Sequence, residues 1–347
     1  MILVQFGDLH LDQPFENLSS AASRARREQS RRLLFEVVEL AKRENADAIL
    51  CTGDLFDSPK PYLDSCLYAA RVFGQTDIPV FITPGNHDPY SPSSPYEAVD
   101  WTENVHIFSS SLPQTLTFPN FRITGWANTE QRSSLRPLEN FSAEKRDELP
   151  HILMFHGEIA SDSVYFSADG EQIAGTNADY LALGHIHGAF QKQFGSCLAV
   201  MNGGIEATRH GETGEKGAVL AKVFPNGASA SLVPLGGCRA VNAQIKDLGA
   251  EAIYSELLSL CSAPKNTMVT LTLTGEPKTD TEQILGLAKE FLSFKLNDKR
   301  EQKRENRNGK GLGALFARRA EEEDLSELAL EFGLAALENR EQPTGKS

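Results

Sequence analysis

Five short apolar runs each end in residues that bind metal ions, and this recurrence constrains the chain more than any other feature. Ile2 to Phe6 leads into Asp8-Leu9-His10, and Ala48 to Thr52 leads into Gly53-Asp54. Val80 to Thr83 leads into Gly85-Asn86-His87-Asp88. Ile152 to Phe155 ends on His156, and Tyr180 to Leu183 ends on Gly184-His185-Ile186-His187. Runs rich in Val, Ile, Leu and Phe that alternate with helical segments read as buried strands in a layered α/β fold. In open α/β sheets ligands gather in the crevice beyond the carboxyl ends of the strands. Carboxylates, one carboxamide and several imidazoles are therefore expected to meet in one place, as a centre for two divalent ions requires.

The residue types fit that chemistry one by one. Asp8 and His10 lie two apart just past a strand, so both can turn toward one crevice. Asp54 follows a glycine that lets the backbone turn sharply, and its two oxygens suit it to bridge two ions. Asn86 offers a neutral carbonyl oxygen. His156, His185 and His187 supply imidazole nitrogens, which suit manganese, iron or zinc better than magnesium or calcium. Each motif alone is common as a satisfied surface or core pair. Their order, each after an apolar run, carries the expectation.

Elsewhere the pattern divides the chain. Leu33, Leu34, Val37, Val38, Leu40 and Ala41 form a helix-period face within residues 20–44. Five prolines between 79 and 95 make 84–98 a loop. Residues 105–126 and 194–235 read as shorter strands joined by turns. Beyond Gly236-Gly237, Val269, Leu271 and Leu273 alternate with Thr270, Thr272 and Thr274, the mark of a strand with one solvated face. Helical stretches at 250–262 and 280–296 flank it. The expected organisation is a catalytic domain over 1–238, a small α+β capping domain over 239–296, and a charged linker with a C-terminal amphipathic helix over 297–347.

Composition narrows the setting. The five cysteines, at 51, 66, 197, 238 and 261, form no CxxC pair and read as reduced thiols. A ligand motif begins by residue 8, and no apolar run approaches membrane-spanning length, so a cytoplasmic protein with no membrane contact is expected. The net charge of −13 argues against a generally basic, nucleic-acid-coating surface. It leaves nucleic acid open as a substrate, because bound cations set the local field.

With these residues in view, the chain up to about residue 235 resembles the calcineurin-like metallophosphoesterase superfamily. Protein phosphatases of that superfamily extend two motifs as GDxxDR and GNHE. This chain has Gly53-Asp54-Leu55-Phe56-Asp57 and Gly85-Asn86-His87-Asp88 instead. The stretches Asp8-Leu9-His10-Leu11-Asp12 and NGGIEATRHGETGEKG, from Asn202 to Gly217, resemble the SbcD-type DNA repair nucleases, bacterial YhaO-like members among them.

The resemblance implies a layered metallophosphoesterase fold, a β-sandwich flanked by helices. It implies that Asp8, His10 and His187 hold one metal ion, that Asn86, His156 and His185 hold a second, and that Asp54 is shared. His87 would protonate the leaving 3′ oxygen or stabilise the pentacoordinate phosphorus, with Asp88 orienting its ring. The implied activity is two-metal DNA phosphodiester hydrolysis, exonuclease and endonuclease, in DNA repair and usually with manganese. The implied partners are DNA, a second copy of the chain, and an SbcC-type SMC-like ATPase gripped by the C-terminal helix. Two other readings stand beside it. The same ligands would serve a phosphodiesterase or phosphatase on nucleotides or other small phosphoesters. A non-catalytic partner subunit of such an ATPase would not need His87 and Asp88.

Other features read as bland. Thr344-Gly345-Lys346-Ser347 imitates the end of a phosphate-binding loop, but position 340 is Arg340 and no helix follows. Gly309 to Gly313 reads as a hinge. His106 and His151 read as structural, and His210 is open to a substrate-contacting role. Asp57 reads equally as support for the site or as a helix cap. Arg24, Arg26, Arg27, Arg31 and Arg32 read as a solvated helix surface in preference to a DNA-backbone contact.

Overall fold

The structure, a computed structural model, describes residues 1–16, 18–142, 148–300 and residue 319. The chain begins with β1 (Ile2–Phe6), α1 (Ser20–Arg43), β2 (Ala48–Cys51), α2 (Leu63–Phe73), β3 (Val80–Ile82) and β4 (Val105–Ile107). It continues with β5 (Gln114–Thr117), β6 (Arg122–Gly125), β7 (His151–His156), β8 (Glu158–Ile159), β9 (Ser167–Ala168) and α3 (Gly170–Gly175). β10 (Tyr180–Gly184), β11 (Phe190–Phe194), β12 (Cys197–Met201), β13 (Ala218–Phe224) and β14 (Gly227–Val233) follow. β15 (Arg239–Lys246), α4 (Ala250–Leu260), β16 (Thr267–Thr274), α5 (Thr281–Gly286) and β17 (Ser293–Asp298) come last.

Two six-stranded sheets form the layered α/β fold, in the orders β14-β13-β1-β2-β3-β4 and β11-β12-β10-β7-β6-β5. β1 to β4 run parallel in the first sheet, and β6, β7, β10 and β12 in the second. Alternation along each strand sorts the side chains into layers. Leu3, Ala48 and Leu50 from one sheet meet Ile152, Met154, Tyr180 and Ala182 from the other in a core between the sheets. Val4, Phe6, Ile49 and Cys51 point the opposite way, against the apolar stripes of α1 and α2. Leu153, Phe155, Leu181 and Leu183 pack with Ile173 of α3 on the far side. Buried Gln5 stitches the two sheets, donating to Leu183 O and Val200 O at 3.1 Å while Tyr180 Oη donates to it at 2.5 Å.

The helix face expected at Leu33 to Ala41 is the buried side of α1, and the Ser19 hydroxyl caps its start by accepting the Ala22 N–H. β16 alternates as expected, with Val269, Leu271 and Leu273 buried and Thr270, Thr272 and Thr274 half-buried. The helix expected over 280–296 differs. α5 stops at Gly286 and a short 3-10 turn follows, and residues 293–298 form β17 rather than helix or linker. Glycine ends the helix, and the alternation of Phe294 and Leu296 with Lys295 and Asn297 suits a strand in the order β15-β16-β17.

The chain forms two compact units. One comprises residues 1–243, 258–271 and 287–295, the other residues 244–257, 272–286 and, of those described beyond, 296–300. In the second unit the buried Asp247 accepts from the Gly249, Lys278 and Thr279 N–H groups and pairs with Arg300 at 2.8 Å. All five cysteines are buried, and none forms a disulfide among the described residues. Among the described residues no helix is long and apolar enough to cross a membrane. The expected amphipathic helix at 322–339, most of the charged linker, the Gly309–Gly313 hinge and Thr344–Ser347 lie outside the described residues.

Candidate metal centre

The loops leaving β1 and β2 run side by side. Asp8 N donates to Gly53 O at 3.0 Å, His10 N to Asp54 O at 3.0 Å, and Leu11 N to Leu55 O at 2.9 Å. Within these loops Asp8, His10 and Asp54 adopt φ of 51°, 49° and 49°, and His185 past β10 adopts 101°. Left-handed backbone is uncommon for residues with a Cβ and costs on the order of 1–3 kcal/mol each, so it persists where the surroundings impose it. Here it turns the side chains of these loop residues toward one another past the strand ends. The motif glycines allow the close approach. A Cβ on Gly53 would stand 2.5 Å from His156 Nδ1, and one on Gly85 would stand 2.1 Å from Asp54 Oδ1.

All seven candidate ligands meet at one place. Asp8, His10 and His187 form one compact group, Asp8, Asp54 and His156 another, and His10, Asp54 and His87 a third, ligand atoms lying within 4.8 Å of one another in each. His187 Nε2 is 3.7 Å from Asp8 Oδ1, and His10 Nε2 is 3.8 Å from Asp54 Oδ2. Asp54 Oδ2 is also 3.3 Å from His156 Nε2, so one carboxylate faces both halves of the cluster. Asn86 Oδ1 completes the second half, 2.9 Å from both His156 Nε2 and His185 Nδ1. The Tyr165 ring leans on His185 at 4.4 Å between centroids.

This donor set fits divalent cations. His10 Nε2 is buried and has no hydrogen-bond partner among the described residues, which is costly unless a cation takes its lone pair. The imidazoles that turn Nε2 inward place Nδ1 near an outer oxygen. Thr52 O accepts at 2.8 Å for His156 and Glu212 Oε1 lies at 2.8 Å for His187, while Asp57 Oδ1 lies 3.0 Å from His10 Nδ1 as an ion-pair contact. Metal-ligating histidines are characteristically oriented in this way. Without cations the charges compensate one another. Burial lowers the affinity of His156 for a proton, but Asp54 overrides it and lifts the imidazole to about 9. His10 likewise rises to about 8 against burial, through Asp57, Asp54 and Asp8. Burial raises Asp54, yet His156, His10 and His87 hold it far below the usual carboxylate range. Burial and the neighbouring His156 push His185 down to about 4, leaving it neutral.

His87 lies at the edge of the cluster, its side chain 39% exposed, with its ring edge-on to His10 at 4.7 Å. The expectation that Asp88 orients this ring needs correction. Asp88 is fully buried and points away from it, accepting from the Phe56 N–H at 3.0 Å, the Gly85 N–H at 2.7 Å and the Tyr96 hydroxyl at 2.6 Å. It braces the loop that carries Asn86 and His87. The backbone carbonyl of Asp57, 3.1 Å from His87 Nδ1, takes the orienting place. Asp57 thus serves two imidazoles and caps no helix, since α2 begins six residues later.

The 202–217 stretch, whose role could not be read from spacing, frames the centre. Asn202 donates its carboxamide nitrogen to Leu183 O and Thr52 Oγ1, and its oxygen accepts from the Gly7 and Gly204 N–H groups. Glu206 pairs with buried Arg26 at 2.6 Å and accepts from Ser30. Glu212 bears on His187, and no local pattern marks it except its place in that glycine-rich stretch. His210 Nδ1 and Nε2 lie 3.1 Å from Thr270 Oγ1 and 2.9 Å from Ser293 Oγ. His106 stacks on Phe81, and His151 Nε2 bonds Thr124 Oγ1, so both are structural. Of the arginine cluster, Arg26 is buried and Arg31 pairs with Asp64 at 2.7 Å, so it is not a wholly solvated surface.

Comparison with known proteins gives a family match and weaker structural likenesses. Residues 1–189 match the family model described as calcineurin-like phosphoesterase. Over 238 residues the chain is 31% identical to YhaO of Bacillus subtilis (strain 168), described as an uncharacterized metallophosphoesterase. That match covers 64% of this chain and 57% of the relative, so the chain spans little more than half of the relative's length. Among solved structures, a dimetal phosphatase from Danio rerio is 13% identical with a TM-score of 0.42, covering 67% of this chain and 98% of its own. A Thermus thermophilus protein, TT1561, is 12% identical with a TM-score of 0.41, at the same coverages. Likeness of that degree says nothing about substrate.

Proposed function

We propose that this chain, which belongs to the calcineurin-like phosphoesterase family, uses its two-ion centre to hydrolyse the phosphodiester bonds of DNA. The family fold binds two divalent metals, and the candidate residues for them are present here. The observation that carries the reading is the convergence of Asp8, His10, Asp54, Asn86, His156, His185 and His187 on one point, with half-buried His87 beside them. Asp8, His10 and His187 would hold one ion, Asn86, His156 and His185 the other, and Asp54 would face both.

When bound, the two ions supply Lewis acidity, offsetting charge on the phosphate oxygens and making water a usable nucleophile at neutral pH. His87 then acts as the proton donor. With Nδ1–H given to the Asp57 carbonyl, the imidazolium form would pass its Nε2 proton to the leaving 3′ oxygen and remain as the neutral Nδ1–H imidazole. Asp88 acts at one remove, holding the Gly85 and Phe56 N–H groups so that Asn86 and His87 stay in place.

DNA as the substrate, and exonuclease and endonuclease action in repair, are supported by the resemblance of Asp8–Asp12 and of 202–217 to SbcD-type nucleases. Manganese suits the mixed imidazole and carboxylate donors. A homodimer and an SbcC-type SMC-like ATPase partner follow from the same resemblance. A second reading, hydrolysis of nucleotides or other small phosphoesters, is favoured by the net charge of −13 and by the engagement of Arg26 and Arg31 with acidic partners.

One assay separates them. Purified protein with manganese is given free-ended duplex DNA, end-blocked duplex DNA and bis-p-nitrophenyl phosphate. Cleavage of the free-ended duplex supports the DNA reading. Hydrolysis of the small ester alone overturns it in favour of the second.

A further inference from the structure

His187 is a candidate ligand carried on a loop rather than on a strand. It sits past β10 in the loop 185–188, and its side chain is 23% exposed, whereas those of His10 and His156 are 5% and 1% exposed. Two residues of the 202–217 segment hold it from opposite ends. Glu212 Oε1 lies 2.8 Å from its ring Nδ1, and the Lys216 ammonium donates to its backbone carbonyl. We propose that Glu212 and Lys216 are positioning residues for one of the two metal sites: they fix the tautomer, ring direction and backbone of His187, and occupancy of the ion that His187 helps hold depends on them. This inference rests on the two-ion reading above.

An imidazole coordinates only through the nitrogen that lacks a proton. A carboxylate at Nδ1 accepts the hydrogen bond of the Nδ1–H, keeping the proton on that nitrogen and leaving the Nε2 lone pair toward Asp8, 3.7 Å away. Without Glu212 both tautomers and both ring directions become accessible, and each competes with binding. Glu212 is itself immobilised. Its Oε2 accepts the Thr208 N–H at 2.7 Å, and the Thr208 hydroxyl donates to its Oε1 at 3.0 Å.

Lys216 is only 3% exposed, and its ammonium donates to Gly203 O at 2.7 Å as well as to His187 O. Burying an ammonium group is costly unless its donors are satisfied. Both of these acceptors lie in the loops that meet at the metal centre. The contact that satisfies the ammonium group also fixes the spacing of the two loops. His210 ties the same segment to Thr270 and Ser293, so Glu212 is held on a braced loop.

The test is manganese titration of chelator-stripped full-length protein, followed by calorimetry and by the electron paramagnetic resonance of the bound ions. Wild type is expected to bind two ions. Glu212→Ala should weaken one site by about 10–100-fold, the usual effect of removing an outer partner of a metal-bound histidine, and leave the other unchanged. Glu212→Gln, which keeps an acceptor at Nδ1, should fall between Ala and wild type, a gradation that loss of folding would not give. Lys216→Met should weaken the same site. Wild-type affinity for both ions in Glu212→Ala overturns the proposal. If Glu212→Ala does not fold, wild-type affinity in Glu212→Gln overturns it instead. His187→Ala separates the two levels. If it loses one ion while the Glu212 variants lose none, only this inference falls. If it keeps both at wild-type affinity, His187 is no ligand and this inference falls alone, whereas wild type that binds fewer than two ions overturns the two-ion reading beneath it.

Discussion

Asp54 Oδ1 accepts the backbone N–H of His87 at 2.8 Å, while Oδ2 of the same carboxylate faces His156 at 3.3 Å and His10 at 3.8 Å. One side chain therefore seats the loop carrying the proposed proton donor and looks into both halves of the centre. Metal binding and placement of His87 are mechanically linked through it.

Asp54→Ala should empty both sites together. Elemental analysis of the purified variant is expected to find well under one manganese ion per chain, against about two in wild type. Loss of a single ion would show that Asp54 faces one site only.

His87→Ala should separate binding from chemistry. Its ring touches His10 at the rim, and its loss removes a proton donor with no change in the ligands beneath. Manganese stoichiometry is expected to stay at the wild-type value while kcat falls by about 10²–10⁴, the usual share of a positioned acid or base. A fully active His87→Ala protein would remove it from the mechanism.

Gly53→Ala tests the close approach of loop to ligand. The residue has φ of 95°, and a Cβ there would overlap the His156 ring at 2.5 to 2.7 Å. Left-handed backbone alone costs about 1–2 kcal/mol for an L side chain, and displacement of His156 adds to it. We expect a melting temperature lower by about 2–4 °C for each kcal/mol, and weaker manganese binding. A variant that melts and binds as wild type does would mean that the loop yields without cost.

The metal-free protein should lose stability as pH rises. His10 and His156 have folded values near 8 and 9, above the ordinary 6.5. A raised folded value stabilises the fold fully below the unfolded value and is lost as pH passes through the folded one. Stripped protein is therefore expected to melt at a lower temperature at pH 9 than at pH 6.5. Cations compete with those protons, so the difference in melting temperature between manganese-loaded and stripped protein should widen over that range. A constant difference across a calorimetric pH series would contradict the pairing.

Much of the site was legible in the residues. Apolar runs of strand length, each closed by Asp, Asn or His, identify both the strands and the chemistry at their ends, because both are local properties of a few adjacent residues. That is why Asp8, His10, Asp54, Asn86, His156, His185 and His187 could be named in advance and are found together. The helical face of α1 and the alternation of β16 were legible for the same reason.

What only the tertiary structure decided is which side chain serves which. Asp88 is adjacent to His87 in sequence yet braces Gly85 and Phe56, while Asp57, thirty residues before His87, reaches its ring with a carbonyl. Glu212 finds His187 across twenty-five residues, and Arg26 finds Glu206 across one hundred and eighty. Adjacent residues on extended backbone point to opposite sides, so neighbours in sequence are poor guides to contact. Left-handed turns at Asp8, His10, Asp54 and His185 then re-aim individual side chains. The amino-acid order determined the strands and the ligand chemistry. The meeting of loops from separate strands, enforced by packing between the two sheets, determined which outer residues hold each ligand in place.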